Sequence, residues 1–227
     1  MLDRLLPGGR KVGPGAIIVL GLGRFGSAAA QTLVDLDIEV LGVDANPALV
    51  ARYAEELTHV VQADTTDVEA LRQLGAADFA RAVVAIGDVE ASIITVLHLA
   101  EGGVGEIWAK AVSRTHGEIL TRVGAHHVVY PERSAGERVG HALSGFMVDY
   151  FEFEDGFAIA RTQAPRVTIG VPLRESIVRT RYRVTVVGLK RTGEEFIYAV
   201  PETVPLAGDE LIVSGRRDVV EDFCRLR

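Results

Sequence analysis

The chain of 227 residues is 48% hydrophobic and 24% charged, so it can form a sizeable core and does not have the composition of a disordered protein. Its formal net charge of −7, with lysine and arginine scattered along the chain, argues against a nucleic-acid-binding protein, which would present a basic face. The single cysteine, Cys224, excludes an internal disulfide framework and a cysteine-built metal site.

The N-terminal half alternates between short apolar runs and helical stretches. Glycines and prolines predict a loose lead-in over residues 1–14. The expected strands then cover 16–21, 38–44, 59–64, 80–87, 106–111 and 127–131, and the expected helices cover 27–36, 47–57, 67–75, 89–103 and 114–123. Parallel neighbours need helical crossovers, so this order predicts an α/β fold with a Rossmann-like, doubly wound parallel sheet.

The pattern changes after Pro131. Residues 132–148 are predicted to form a helix that leaves the sheet, although three glycines weaken it. The short strands expected beyond it lie in 151–164, 183–200 and 209–215, with helices near 172–180 and over 217–227. We therefore predict a first domain over 15–148 and a smaller α+β domain over 149–227. A signal peptide and an apolar run of about 18 residues are both missing from the sequence, which predicts a soluble, cytoplasmic protein.

The stretch GLGRFG (21–26) fits the dinucleotide-binding pattern G-x-G-x-x-G. It follows a predicted strand and opens a predicted helix. In such a loop Gly21 permits the tight turn, Gly23 lets a phosphate approach the backbone, and Gly26 lets helix and strand pack closely. Asp44 ends the next strand and can accept hydrogen bonds from ribose hydroxyls. The context predicts a nucleotide with free ribose hydroxyls. The alternatives are a purely structural turn and an Asp44 that only caps the next helix.

Arg24 lies inside this glycine loop. Its guanidinium can form a bidentate, charge-assisted pair with a terminal phosphate. In a dehydrogenase the same volume would have to admit the nicotinamide ribose and the substrate. The arginine therefore favours ATP or ADP as the ligand, and the alternative is that Arg24 lies in solvent or against a partner subunit.

No arrangement typical of catalysis is visible. The sequence has no G-x-S-x-G, H-E-x-x-H or Walker loop. His59 is predicted to begin a strand, His98 to lie within an apolar helix, and His116 and His141 to lie on helix surfaces. The adjacent His126 and His127 would face opposite sides of a strand, so they could not easily share a metal. A nucleotide site without acid–base chemistry favours a sensor over an enzyme.

Several stretches, in this order, resemble the regulator-of-potassium-conductance domains (RCK or KTN) of bacterial Ktr and Trk potassium uptake systems. They are IIVLGLGRFG (17–26), VLGVDANPALV (40–50), VVAIGDVEAS (83–92), IWAKA (107–111) and GAHHVVYPE (124–132). GDELIVSG (208–215) resembles the C-terminal ligand-binding domain of that family. The resemblance covers nearly the whole chain after residue 14.

The resemblance implies a site for ATP and ADP, with NAD(H) as the alternative. It implies that Gly21, Gly23, Arg24 and Lys110 lie at the phosphates, Asp44 and Asn46 at the ribose, and Asp64 and Thr65 near the adenine. The remaining implied contacts are Leu22, Phe25, Ala45, Ala85, Ile86 and Gly87. Glu132 matches an acid that helps hold a cation (Mg²⁺, Ca²⁺ or Na⁺) against the γ-phosphate. From the residues alone, Glu132 could equally be an ordinary acid at a helix N-terminus.

The resemblance also implies a peripheral protein on the inner face of the membrane, with dimers assembled into an octameric ring. The ring would lie beneath a membrane-embedded potassium-translocating subunit of KtrB or TrkH type and gate it as ATP and ADP exchange. In related proteins the C-terminal domain can bind cyclic di-AMP. Here the corresponding stretch, 171–187, is richer in arginine (Arg174, Arg179, Arg181 and Arg183), which suits either a dinucleotide phosphate or a solvated helix face.

The leading hypothesis is a nucleotide-gated regulatory subunit without turnover. A small NAD(H)-dependent oxidoreductase would need a Tyr/Lys or His/acid constellation, which the sequence does not show. A redox-responsive repressor would need a winged helix and a basic face, and the net charge argues against both. An NAD(H)-sensing Trk-type regulator is a further alternative, but such relatives often duplicate the module and this chain has one copy.

Overall fold

The computed structural model describes Gly13, residues 15–153 and residues 155–226. The predicted lead-in therefore lies almost entirely outside the described residues. The chain divides into two compact units between Glu132 and Arg133, whereas we expected the division after residue 148. The two positions differ by one helix, Pro131–Leu143, which buries no residue, so no core packing fixes where one domain ends. The functional limits of the two domains stay a prediction.

The first unit contains the predicted six-stranded parallel sheet. Its strands are β1 Ile17–Leu20, β2 Val40–Asp44, β3 His59–Gln62, β4 Arg81–Val84, β5 Glu106–Lys110 and β6 His127–Val129. They lie in the order β3-β2-β1-β4-β5-β6, and every adjacent pair is parallel. The strands β2 and β3 thus extend the sheet from one side of β1. The chain then crosses over, and β4, β5 and β6 extend the sheet from the other side. This order confirms the doubly wound fold.

The strand β1 is buried on both faces, as its uninterrupted apolar sequence predicts. Ile18 and Leu20 belong to a cluster that also contains residues of the helices over β4 and β5. Ile17 and Val19 belong to a second cluster on the opposite face. The sheet therefore forms the middle of a three-layer unit.

The helices of the first unit lie close to their predicted positions. They are α1 Arg24–Asp35, α2 Pro47–Tyr53, α3 Val68–Gln73, α4 Val89–Glu101, α5 Arg114–Arg122 and α6 Pro131–Leu143, the last of which continues into the second unit. The expected start of α1 at residue 27 is wrong, because the helix begins three residues earlier, with Gly23 as its N-cap. The expected end of α6 at 148 is also too late, since the helix stops at Leu143 before Gly145, whose φ is 72°.

The second unit contains a five-stranded antiparallel sheet. Its strands are β7 Asp149–Glu152, β8 Phe157–Gln163, β9 Thr185–Lys190, β10 Phe196–Tyr198 and β11 Glu210–Arg216. They lie in the order β10-β9-β11-β8-β7. The helix α8, Arg217–Cys224, covers one face with Val220 and Phe223. This smaller α+β unit was also predicted.

Two sequence predictions outside the sheets are wrong. The helix expected near 172–180 is reduced to α7, Val178–Arg181, because hydrogen-bonded turns occupy the residues before it. His116, expected on a helix surface, is 2% exposed and lies in the buried stripe of α5 with Gly117 and Leu120. No helix among the described residues is long and apolar enough to cross a bilayer.

Candidate nucleotide site

The predicted site residues of β1, β2, β4 and β5 meet at the carboxyl edge of the parallel sheet. The neighbours of β1 are β2 and β4, so the direction of winding reverses between β1 and β4. In open α/β sheets ligands bind in the crevice that forms at this point. The glycine loop, Asp44 and the 85–87 turn follow three adjacent strands there.

Gly21 makes the turn out of β1 in a conformation that favours glycine. Its φ is 96°, and a β-carbon at this position would lie 3.1 Å from the carbonyl carbon and oxygen of Ala85. The amide of Gly21 donates to the Val43 carbonyl at 2.7 Å, and the amide of Ala85 donates to the Leu20 carbonyl at 2.7 Å. The turn is therefore fixed between the ends of β2 and β4.

Gly26 allows α1 to pack against this turn. A β-carbon on Gly26 would lie 1.9 Å from the Gly21 carbonyl oxygen and 2.8 Å from the β-carbon of Ala85. Non-bonded atoms do not approach a β-carbon so closely. The third glycine of the loop is thus required by the fold itself.

Gly23 differs from the other two glycines. A β-carbon there would meet no atom within 4 Å, and its φ of −65° is accessible to any residue. Gly23 is the N-cap of α1, and the first bond of the helix runs from the Ser27 amide to the Gly23 carbonyl. The N–H groups ahead of Ser27 have no carbonyl in a preceding turn. The backbone at Gly23 is therefore open to a ligand, and these N–H groups can receive an anion.

Arg24 is the first residue of α1 and is exposed. The first turn of the helix contains no acidic residue, and among the described residues no acid lies within 4 Å of the Arg24 guanidinium. A cation and the positive end of a helix thus share one position without a counter-ion in contact. This is an arrangement that attracts an anion.

Asp44 holds the loop and does not cap the next helix. Its Oδ2 accepts the Leu22 amide at 2.7 Å and its Oδ1 accepts the Asn46 amide at 2.8 Å. The cap of α2 is Asn46, whose Oδ1 accepts the Ala48 amide at 2.9 Å. Each carboxylate oxygen of Asp44 has further lone pairs, so the group can also accept ribose hydroxyls. Ala45, between Asp44 and Asn46 in the chain, is exposed at the same edge.

The two residues expected near an adenine have separate structural roles. Asp64 accepts from both the hydroxyl and the amide of Thr66, and these bonds lower the pKa of the Asp64 carboxyl. Thr65 is buried, and its hydroxyl lies 3.0 Å from that of Thr95 in α4. The Thr95 hydroxyl also lies 3.2 Å from the Thr65 carbonyl. The Thr65 side chain therefore faces α4, and only its backbone can take part in a site.

Thr95 is a positioning residue that the sequence analysis missed. It lies in the fully buried stripe of α4 with Ser92, Val96 and Leu99. A hydroxyl in such a stripe needs a buried hydrogen-bond partner. A threonine at a buried position of the predicted helix was therefore the one sign in the sequence that Thr95 makes such a bond. The partner, 30 residues earlier in the chain, could not be identified from the sequence.

The 85–87 turn completes the edge between the glycine loop and α4. Ala85 is buried beneath Gly21, Ile86 is half-buried, and Gly87 is exposed with open space at its β-carbon position. Asp88 caps α4 by accepting the Ala91 amide at 2.9 Å. The turn thus borders the crevice on the β4 side with the open backbone of Gly87 and the half-buried side chain of Ile86.

Lys110 and Glu132 form an ion pair at the far side of this edge. Lys110 ends β5, and its Nζ lies 2.7 Å from Oε1 of Glu132, the second residue of α6. The hydrogen bond from Lys110, with the added positive charges of Lys110 and Arg24, lowers the pKa of the Glu132 carboxyl. The phosphate and cation roles implied for these two residues stay predictions. Among the described residues no three His, Cys, Asp or Glu side chains group as a metal site.

Fold and site together define a class: a doubly wound α/β unit with a dinucleotide-type glycine loop, joined to a small antiparallel domain. The chain matches the TrkA-N domain over residues 17–131 and the TrkA-C domain over 163–227. It therefore belongs to the family of proteins that carry TrkA-N and TrkA-C domains.

Full-length relatives agree. The chain is 35% identical over 199 residues to Ktr system potassium uptake protein C of Bacillus subtilis, covering 87% of this chain and 90% of the relative. It is 34% identical over 211 residues to Ktr system potassium uptake protein A of Vibrio alginolyticus, covering 92% and 96%. The chain is thus homologous to Ktr potassium uptake regulatory subunits, as its sequence resemblance predicted.

Solved structures share the fold. The GsuK channel bound to NAD superposes with a TM-score of 0.67 at 20% identity, covering 92% of this chain and 38% of that one. GsuK bound to ADP superposes over 59% of this chain and 36% of that one, with a TM-score of 0.52 at 21% identity. At these identities the likeness concerns the fold alone.

Proposed function

We propose that this protein is a cytoplasmic gating subunit of a potassium uptake system, controlled by ATP and ADP at the carboxyl edge of the first sheet. The observation that carries the ligand assignment is Arg24 at the start of α1, which contacts no acid of the described part of the chain and lies beside the open backbone of Gly23. A ligand shifts a conformational equilibrium only through contacts that differ between states. An arginine at the terminal phosphate provides such a difference between ATP and ADP.

A thermal-shift titration tests the assignment with wild type, Arg24→Ala and the control Arg122→Ala, an exposed arginine in the last turn of α5. A ligand at 100 times its dissociation constant stabilises the fold by about 2.7 kcal/mol. We expect ATP and ADP both to stabilise wild type and the control. Arg24→Ala should bind ATP about tenfold more weakly and ADP nearly as well, because a charge-assisted bond is lost.

The second candidate is an NAD(H) site, either of a Trk-type regulator or of a small oxidoreductase. Asp44 favours any nucleotide with free ribose hydroxyls, so it suits NADH as well as ATP. If NADH alone stabilises the protein and Arg24→Ala has no effect, the ATP/ADP assignment is wrong. We infer a role without turnover, since homology to regulatory subunits supports it and the candidate site offers binding groups rather than a positioned acid and base.

The other site assignments follow the same proposal. Gly21, Leu22, Gly23 and Phe25 would surround the phosphates with Lys110, and Asp44 and Asn46 would bind the ribose. Glu132 would help hold Mg²⁺, Ca²⁺ or Na⁺ against a terminal phosphate. Support for this last role comes from the sequence resemblance and from the exposure of the Glu132 carboxylate at this edge, which leaves it able to turn from Lys110 to a bound cation.

We also propose that copies of the chain assemble, as dimers within a ring, beneath a membrane-embedded potassium-translocating subunit. Two apolar surfaces support assembly. One is a cleft of about 590 Å³ on the α1 side of the sheet, lined by Phe25, Val83 and Trp108 among others, with Trp108 37% exposed. The other is a small patch on the otherwise polar helix α6, where Val139 is 57% and Leu143 is 82% exposed. Light scattering that gives only monomer with and without nucleotide would contradict a ring.

In the second unit, cyclic di-AMP is a candidate ligand of the arginine-bearing segment. Arg179 and Arg181 of α7 and the following Arg183 are exposed. Arg174 is already engaged, because it lies 3.2 Å from Glu175 and 3.4 Å from Glu202. A stabilisation of the chain by cyclic di-AMP that Arg179→Ala abolishes would support this assignment.

A further inference from the structure

The Lys110–Glu132 pair places a carboxylate where the proposed site needs free cations. The Lys110 side chain is only 13% exposed, so the loss of its counter-ion would leave an unpaired charge on a largely buried side chain. The Glu132 carboxylate lies 2.7 Å from that ammonium group and is also within the electrostatic influence of Arg24. Lys110 and Arg24, the two cations assigned to the phosphates, therefore both attract the Glu132 carboxylate before any nucleotide is bound.

We propose that Glu132 is a built-in competitor of the terminal phosphate, which neutralises Lys110 in the empty protein and must give it up when a di- or triphosphate binds. The inference rests on the proposed nucleotide site. It differs from a cation-binding role for Glu132, because competition operates without any cation and weakens binding, whereas a cation ligand strengthens it.

Charge and connectivity give this competition its consequences. A terminal phosphate carries more negative charge than a carboxylate, so it replaces Glu132 as the ion-pair partner of Lys110. The displacement of Glu132 and the repulsion between the two anions make the binding free energy of the nucleotide less favourable. The repulsion increases with the charge of the nucleotide, which makes Glu132 a determinant of the preference among AMP, ADP and ATP. Glu132 also lies in the first turn of α6, the helix through which the chain passes from the first unit to the second. Exchange of the Lys110 partner therefore acts directly on the start of that helix.

The test measures ATP, ADP and AMP binding by calorimetry in EDTA with wild type, Glu132→Gln and the matched control Glu137→Gln. Glu137 is an exposed acid of the same helix that pairs with Arg133 at 2.8 Å. We expect Glu132→Gln to bind ATP about fivefold more tightly than wild type, the factor expected for a partly exposed ion pair. The gain should decrease from ATP to AMP, and Glu137→Gln should bind like wild type.

A second background identifies Lys110 as the contested cation. In Lys110→Met the further change Glu132→Gln should improve ATP binding by clearly less than the gain of about fivefold in the wild-type background, because the ion pair is gone and only the repulsion between Glu132 and the phosphates is left to remove. Equal or weaker ATP binding by Glu132→Gln in EDTA, or the full gain persisting in Lys110→Met, would overturn the inference while the nucleotide site stands. A wild-type protein that binds none of the nucleotides would instead overturn the proposed function, and the inference with it.

Discussion

Two regions of the molecule carry cations suited to phosphate, and they are built in different ways. At the carboxyl edge of the first unit, side chains bind back to the loop backbone: Asp44 fixes Leu22, and Thr95 fixes Thr65. In the segment 171–184 of the second unit, the regular structure is the four-residue helix α7, and exposed arginines there contact acidic or aromatic side chains, as Arg174 contacts Glu175 and Arg181 lies over the Tyr182 ring. A cation among backbone groups held in place by side chains is better prepared for a specific anion than a cation on a short helix with irregular neighbours.

The largest effect is expected from Gly26→Ala, which tests whether the first region is rigid. The added methyl group would lie 1.9 Å from the Gly21 carbonyl oxygen, so helix and turn must separate. We expect a loss of about 3 kcal/mol in the free energy of unfolding, measured with urea. Gly23→Ala is the control, because its methyl group meets open space and should cost no more than about 1 kcal/mol. Equal losses of unfolding free energy in Gly26→Ala and Gly23→Ala would show that α1 does not pack closely on the turn at Gly21.

A smaller loss is expected from Thr95→Val, which leaves the Thr65 hydroxyl buried without its partner. An unsatisfied buried polar group costs about 2 kcal/mol. The control is Thr121→Val, since the Thr121 hydroxyl also donates to a carbonyl, that of Gly117 at 3.0 Å, but is exposed. Urea unfolding of both variants measures the difference. If the Thr95 variant is as stable as the control, the loop at Thr65 does not depend on α4.

The third prediction concerns pH and the loop after β5. His116 accepts the Val112 amide through Nδ1 at 3.3 Å, and burial lowers the pKa of its imidazole. Below about pH 6.5 the unfolded chain binds a proton at this residue that the folded chain does not. Stability should therefore fall with decreasing pH, by at most about 1.4 kcal/mol per pH unit from this group.

Replacement of His116 by glutamine tests this prediction. His116→Gln should lose less stability than wild type between pH 6.5 and 5. His126→Gln is the control, because His126 accepts the Ile107 amide in the same way, at 3.1 Å, but is exposed. If the free energy of unfolding of wild type and of His116→Gln changes with pH in parallel, His116 does not cause the pH dependence.

The smallest effect is expected from Arg179→Ala in the second unit. The side chain is exposed, and substitutions of this kind change the free energy of unfolding by less than about 0.5 kcal/mol. A thermal melt is sufficient to check it. A loss comparable to that of Thr95→Val would mean that the second region is held as tightly as the first, and the comparison would fail.

Much of the first unit could be predicted because its signals are local. The strand, glycine loop and helix follow each other within 20 residues, and Asp44 ends the next strand. Each element was recognisable from period and turn residues. The start of α1 was placed too late because Gly23 has no capping side chain to mark it. The helix expected near 172–180 failed because apolar spacing over one or two turns does not separate a helix from hydrogen-bonded turns.

The unpredicted features depend on contacts between distant residues. Thr95 meets Thr65 across 30 positions, and Lys110 meets Glu132 across 22. His116 appeared to lie on a polar helix, yet Gly117 beside it lets Tyr130 pack so closely that a β-carbon there would be 2.0 Å from the Tyr130 hydroxyl. Such pairings arise from the order of the strands, which the pattern of a single element does not contain.

The helix α6 has a thermodynamic consequence of its own. It has 13 residues, buries none of them, and contains Gly136 and Gly140, each worth about 1 kcal/mol less helix stability than alanine. Isolated helices of about this length are marginal in water. Its helical state therefore depends on a few side-chain contacts, such as Arg138 with Asp149 and His141 with Tyr150, and a surface that covers it should raise its helical population. Amide hydrogen exchange in α6 should be among the fastest of any helix in the chain and should slow most when a partner binds it.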